Sequence, residues 1–225
     1  QGMIFIGCYD NNLYALNAAD GQFQWKYAAE GGIVSRPIVY DSNVFFGSED
    51  KRLHVVSTRT GKLVWTYYTD GKIYSSPRIA DGHLFLGSDD QNLHAVNVSS
   101  GRAIWKFATD APIHSSPLVA NEMVYFGTEA GSLYALDFRG ELRWRFQAKR
   151  SVTSSPISKG QYIMSRRLIV LCTRWMRRTA GRSGNSVLGR VLFPLPHSQM
   201  TLFLSARRMD LFIVWMRALP KKSGA

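Results

Sequence analysis

The sequence predicts an all-β fold: a β-propeller of four-stranded antiparallel blades, about four of them in a partial, open ring, followed by an irregular basic C-terminal tail. Three observations predict it. The chain repeats itself with a period of 40 residues, each period holds several short β-rich runs separated by turn residues, and each carries one tryptophan at a fixed phase.

The period is visible in four series. Gly7, Gly47, Gly87 and Gly127 are one; Gly21, Gly61, Gly101 and Gly140 are a second. Pro37, Pro77, Pro117 and Pro156 are a third, and Trp25, Trp65, Trp105 and Trp144 a fourth. The last steps shorten to 39, which places one deletion just before Gly140. Within a unit, runs such as VFFG, LHVV and LVWTY are rich in β-branched and aromatic residues and read as strands. EDKR, TRTG and TDGK between them are turn chemistry. A strand of about 5–6 residues with a connection of about 4 uses roughly 10 residues. Forty residues therefore hold four strands joined as a meander. One such sheet cannot bury both of its faces, so copies must stack.

The tryptophans supply the stacking. An indole buries about 150–250 Å² and needs an acceptor for its N–H. Ala15, Gly21 and Trp25 form an A-x5-G-x3-W pattern; Ala95, Gly101 and Trp105 repeat it, and Val55, Gly61 and Trp65 keep it with valine first. The small residue leaves room for a ring, and the glycine supplies a turn with positive φ. Trp25, Trp65, Trp105 and Trp144, with Gly21, Gly61, Gly101 and Gly140, are thus expected to be blade-docking residues with a structural role.

The stretch GSDDQNLHAVNVSSGRAIWKFATDAPIHSSP resembles the pyrroloquinoline-quinone (PQQ) repeat, found in quinoprotein dehydrogenases and in BamB-like outer-membrane assembly lipoproteins. The resemblance covers residues 1–163 and rests on the 40-residue period, the A-x5-G-x3-W pattern and the SSP turn. It implies a propeller with tryptophan-docking contacts between blades and an extracytoplasmic, periplasmic setting. It does not by itself imply a bound quinone, because many members of this repeat class hold none.

Residues 164–225 break the pattern. Residues 1–163 carry 16 Lys+Arg against 15 Asp+Glu; residues 164–225 carry 12 Lys+Arg with Asp210 as the one acid, so nearly all of the net charge of +12 lies in the tail. A frame slip near residues 163–167 accounts for this. Methionine and tryptophan have single codons, so a one-base shift forces aspartate at positions 176, 201 and 216 and glycine at 210. The aspartates at 176 and 216 lie eight positions before Gly184 and Gly224, whose GGN codons permit tryptophan in the shifted frame. Positions 184 and 224 continue the tryptophan series in steps of 40. A genuine basic extension that binds membrane or nucleic acid is the alternative. On the frame-slip reading the arginines are no evidence for specific nucleic-acid binding, although such charge attracts polyanions generally.

Cys8 and Cys172 form no framework, and Cys8 lies in an apolar run where a buried free thiol is expected. No adjacent cysteine pair of the quinoprotein type occurs. Asp50, Asp89 and Asp90 follow GS in successive units, which suits turn acceptors better than one unique catalytic acid. His54 and His94 stand where Tyr14 and Tyr134 stand, and His114 aligns with Tyr74 and Thr153. No metal-ligand spacing of histidines is present. The Ser75–Ser76, Ser115–Ser116 and Ser154–Ser155 pairs read as turn formers. No phosphate loop occurs, and no apolar run of about 18 residues spans a membrane. The chain opens at Gln1 partway into a repeat, so a signal peptide upstream stays open and the compartment is not readable from the residues.

These readings lead to a non-enzymatic binding or scaffold propeller, with no catalytic, metal or cofactor residues, that takes a protein or peptide on its loops or an exposed blade edge. A fragment of a PQQ-dependent dehydrogenase using PQQ with Ca²⁺, or a non-functional truncated gene product, are the alternatives. Uncovered end blades are expected to promote self-association. Sequencing the coding DNA tests the tail: a one-base shift after residue 170 is expected to restore LYALDA-like text, and its failure to do so removes the frame slip.

Overall fold

Each turn-bounded run forms a strand, and each unit forms one sheet. The computed structural model describes residues 2–159, 162–165, 168–171 and 212–214. The first sheet has order β1 (Met3–Gly7), β2 (Asn12–Asn17), β3 (Phe23–Ala28). The second contains β4 (Ile38–Tyr40), β5 (Asn43–Gly47), β6 (Arg52–Ser57) and β7 (Leu63–Tyr68). The third contains β8 (Arg78–Ala80), β9 (His83–Gly87), β10 (Asn92–Asn97) and β11 (Ala103–Ala108). The fourth contains β12 (Leu118–Ala120), β13 (Met123–Gly127), β14 (Ser132–Asp137) and β15 (Leu142–Gln147). All four are antiparallel meanders, as consecutive strands joined by tight turns must be. They are blades of a partial propeller, and the described residues form no closed ring and no helix.

These four sheets lie in one compact unit, residues 1–157; residues 158–225 are assigned to a second. The second is built on β16 (Ile157–Lys159), β17 (Tyr162–Ser165), β18 (Leu168–Leu171) and β19 (Phe212–Val214). Here β19 pairs with β18 in parallel, unlike the last strand of every other sheet. The tail is therefore not irregular throughout. LIVL and FIV are short β-branched apolar runs, and such residues take strand geometry wherever a partner edge is available. Positions 176, 184, 201, 210, 216 and 224, on which the frame-slip reading rests, lie outside the described residues.

The core lies between sheets. Along β5, Val44 and Phe46, with Val56 of the adjoining β6, point to the first sheet and meet Leu13, Ile33 and Trp25. Phe45 points the other way and packs with Leu84, Leu86, Val96 and Trp65. The next layer joins Phe85, Leu93, Val124, Phe126 and Trp105. The second strands of sheets two to four are consequently buried on both faces. In β1 the pattern alternates, and Ile4 (45%) and Ile6 (47%) stay exposed, because no described sheet covers that face.

Trp25, Trp65 and Trp105 each dock on the glycine of the following sheet. A Cβ on Gly61 would stand 2.6 Å from Trp25 Cε3; on Gly101, 2.8 Å from Trp65 Cδ2; on Gly140, 2.8 Å from Trp105 Cδ2. These glycines also hold positive φ, at 65°, 68° and 83°. Any other residue there meets an indole and adopts a disfavoured backbone at once. Trp25 Nε1 donates to the Thr58 carbonyl at 3.1 Å and Trp105 Nε1 to the Phe138 carbonyl at 2.8 Å, both in the turn that carries the glycine. Gly21 shares the φ, at 71°, but has nothing near its Cβ position. Trp144 lies 5.8 Å from the Tyr125 ring of its own sheet, centroid to centroid.

Gly21 and Gly61 thus separate backbone strain from ring packing. Gly21→Ala is expected to cost about 1–2 kcal/mol from the backbone alone. Gly61→Ala is expected to add a packing cost of about 1–3 kcal/mol. Urea unfolding of the two variants measures the difference.

Candidate functional site

The polar side chains inside the stack have the residue types of an active site. At the first interface Tyr27 on β3 reaches across to His54 on β6, hydroxyl to Nδ1 at 3.0 Å, and His54 Nε2 meets Asp50 at 2.8 Å. The next interface repeats the set: Tyr67 hydroxyl to His94 Nδ1 at 3.0 Å, and His94 Nε2 to Asp90 at 3.0 Å. Burial, with the charge of Asp90 beside it, pushes the Tyr67 hydroxyl up to about 12, so it keeps its proton and donates to Nδ1. Nε2–H then donates to the carboxylate. Burial pushes the Asp90 carboxyl up, but the hydrogen bond and charge interaction with His94, together with the backbone N–H groups of Asp70 and Asn92, outweigh it and hold the group at about 2. Asp50 is lowered by the same balance.

Both nitrogens of each ring are therefore occupied, and the His94 and Asp90 side chains are 0% and 4% exposed. These triads join sheets; their geometry leaves no free nitrogen for a substrate. The third interface departs from them. Phe107 replaces the tyrosine, Tyr134 the histidine and Ala130 the acid, and the two rings pack edge to face at 5.7 Å. Asp110 supplies the carboxylate from the linker, accepting from Ser132 at 2.5 Å, Thr128 at 2.9 Å and Arg145 at 2.6 Å. Burial raises its carboxyl, and these donors bring it below the ordinary value.

The paired serines differ from the turn role expected of them. Ser75 and Ser115, the first of their pairs, are buried and bind a strand end: Ser115 Oγ donates to the Gly127 carbonyl at 2.9 Å and accepts from Gly127 N–H at 2.8 Å. Ser35 does the same with Gly47, and Ser75 accepts from Gly87 N–H. The second serine joins sheets. Arg36 N–H donates to Ser76 Oγ, Ser76 N–H to Ser116 Oγ, and Ser116 N–H to Ser155 Oγ, at 2.8–3.0 Å. This ladder runs beside β8 and β12, which approach one another, so the first strand of each blade is the inner one.

Among exposed groups, one cluster stands where linker residues meet the loops after Gly47, Gly87 and Gly127. His114 lies between Asp89 (2.6 Å) and Glu129 (2.8 Å), with Tyr74 against its ring at 4.9 Å. Lys72 pairs with Glu49 at 3.1 Å and sits over the Tyr74 ring. Cys8 is free and only half-buried, because it follows β1 at the uncovered end of the stack. Asp50 and Asp90 do accept turn hydrogen bonds, from the N–H groups of Arg52 and Asn92. Their inward role was missed. A signal existed: tyrosine precedes histidine by 27 positions at Tyr27–His54 and Tyr67–His94, and both change together to Phe107–Tyr134.

The triads give a pH dependence of known sign. A carboxyl depressed in the folded state contributes stability above its unfolded value near 3.8, and the contribution is lost as pH falls through about 2. Asp90→Asn is expected to remove about 2 kcal/mol of the acid-induced loss between pH 5 and pH 2. Urea midpoints of both proteins at each pH measure it.

The comparisons with known proteins agree with this geometry. A family model described as outer membrane protein assembly factor BamB matches residues 1–78 and 69–185. No curated protein matches. Among solved structures, the crystal structure of the computationally designed Ika8 protein aligns with a TM-score of 0.66 at 16% identity, covering 73% of this chain and 52% of that one. At that identity the likeness speaks for the fold alone, and the chain spans about half the length of the designed protein. The family match takes in more than half of the sequence and every tryptophan-docked blade; the chain belongs to the PQQ-repeat family described as outer membrane protein assembly factor BamB.

Proposed function

We propose that the chain is a non-enzymatic propeller module, part of a larger PQQ-repeat protein, which holds a protein partner during outer membrane protein assembly on the extracytoplasmic side. The observation that carries this reading is the distribution of polar and apolar surface. Buried side-chain polar atoms all have partners among the described residues, whereas large apolar side chains are exposed on the outer strands: Phe23, Leu63, Val64, Tyr68, Ile104 and Leu142. A protein-binding surface needs that combination more than a small-molecule site does.

The dehydrogenase reading needs a cation beside a quinone. Among the described residues no group of three His, Cys, Asp or Glu side chains has the geometry to hold a metal ion. Glu49, Asp89 and Glu129 already face Lys72 and His114. These observations favour the non-enzymatic reading over a PQQ-dependent one. No helix among the described residues is long and apolar enough to cross a membrane.

Two titrations test the proposal. A labelled outer membrane β-barrel protein, diluted from urea, is expected to bind saturably by fluorescence anisotropy. Addition of PQQ and Ca²⁺ is expected to leave the visible spectrum that of free quinone. A bound-quinone spectrum with alcohol-dependent dye reduction, or no binding of the unfolded protein, overturns the reading.

A further inference from the structure

The four outer strands occupy equivalent positions, and one differs from the rest. Each of β3, β7, β11 and β15 is the edge of its sheet and is paired on one side only among the described residues. Such an edge presents unpaired N–H and C=O groups, and a charge in mid-strand is a usual protection against an added strand. Lys26, Lys106 and Arg145 supply that charge at one shared phase, and all three are exposed. In β7 the same position is Thr66, half-buried, and the strand LVWTYY carries no charge at all. It also exposes three large apolar side chains, Leu63 (50%), Val64 (51%) and Tyr68 (62%), whereas β3, β11 and β15 expose one each. A bulge at the residue before the tryptophan is common to all four strands and does not distinguish them.

The ends of β7 indicate the direction of a partner. The turn before it, residues 57–62, contains Arg59 and Lys62 and no acid. Both are exposed, and neither makes an ion pair among the described residues. At the other end Arg52 is already paired with Glu30 at 3.0 Å and lies over the Tyr68 ring at 5.0 Å. A strand added antiparallel to β7 brings its C-terminal end beside Arg59 and Lys62.

We propose that β7 is a docking edge for strand addition, and that its occupant is an extended, uncharged apolar segment of another protein, antiparallel to β7, with carboxylate groups at its C-terminal end. This rests on the protein-binding reading above and names its site. Main-chain pairing along Trp65–Tyr68 gives the affinity, Leu63, Val64 and Tyr68 give apolar contact, and the two cations set direction.

The test uses the full chain and a labelled peptide of six alternating valines and threonines ending in two aspartates. Thr66→Lys places on β7 the charge that the other three outer strands carry, in a context where the fold accepts it. It is expected to weaken peptide binding at least tenfold with little change in the thermal midpoint, and Thr66→Glu is expected to do the same. Replacing the two terminal aspartates by lysines is expected to weaken binding several-fold at low salt, with the difference fading in 0.5 M salt. Unchanged peptide affinity in both variants overturns the assignment to β7, and the protein-binding reading survives if the unfolded barrel protein still binds. A chain that ignores the peptide but sediments as a dimer, dissolved by Thr66→Lys, makes a second copy the occupant and also overturns the proposal. Loss of barrel-protein binding by the unaltered chain removes the broader reading.

Discussion

The contact of Trp25, Trp65 and Trp105 with the glycine of the next sheet is the constraint from which the rest follows. A four-stranded sheet of 40 residues has two apolar faces and no way to cover either alone. The tryptophan reaches across the gap, its N–H finds a carbonyl in the neighbouring turn, and its ring needs a residue without Cβ in that turn. The turn needs the same residue for its φ. Two independent demands thus fall on one atom. The fourth unit shows which part of the repeat is conserved by physics and which is free. It is one residue shorter in this turn, and Gly140 N–H bonds to Asp137, three residues back, where Gly61 and Gly101 bond four residues back to Ser57 and Asn97. The deletion tightens the turn, yet the positive φ and the 2.8 Å approach to Trp105 are kept.

Near-identical sheets raise a second problem, since any blade could stack on any other. Similar repeats are prone to misassembly of this kind. The polar pairs inside the interfaces differ enough to resist it. The third sheet presents Phe107 to Tyr134; stacked instead against a sheet bearing histidine, it would leave Nδ1 without the hydroxyl that Tyr27 and Tyr67 provide. A buried nitrogen without its partner costs about 1–3 kcal/mol. The interfaces therefore carry part of the information about blade order, beyond what the shared tryptophan contact specifies.

The features legible in the sequence are those that depend on one residue type at one phase. The period, the positive-φ glycines, the tryptophans and the four-strand unit are of this kind, because only glycine fits the turn and only a large ring fills the gap. Interactions between sheets were harder to read. The Asp–His–Tyr sets join residues 27 and 4 positions apart in different strands, and nothing in a single unit marks Tyr67 as the donor to His94. The serines were visible as a repeat, but their hydroxyls bond across 12 residues within a sheet and about 40 between sheets, which a turn reading does not anticipate. In the tail, LIVL and FIV form strands although no repeat period marks them among the charges of residues 164–225.

Radial stacking also decides which part of each blade is left to side chains alone. Faces are covered by neighbouring sheets, and inner strands approach one another and share the serine ladder. The outer strand has no neighbour in that direction, so its unpaired backbone cannot be protected by architecture. Protection must come from individual residues, and those are free to differ because the tryptophan contact does not depend on them. Position 26 and its equivalents illustrate this: the side chain lies one residue past the tryptophan and is lysine, threonine, lysine and arginine in turn, the arginine alone reaching back to Asp110 and Ser132. An interaction surface on such a fold is therefore easiest to create, or to remove, at the outer edge, where a single substitution changes what an added strand would meet without disturbing the stack.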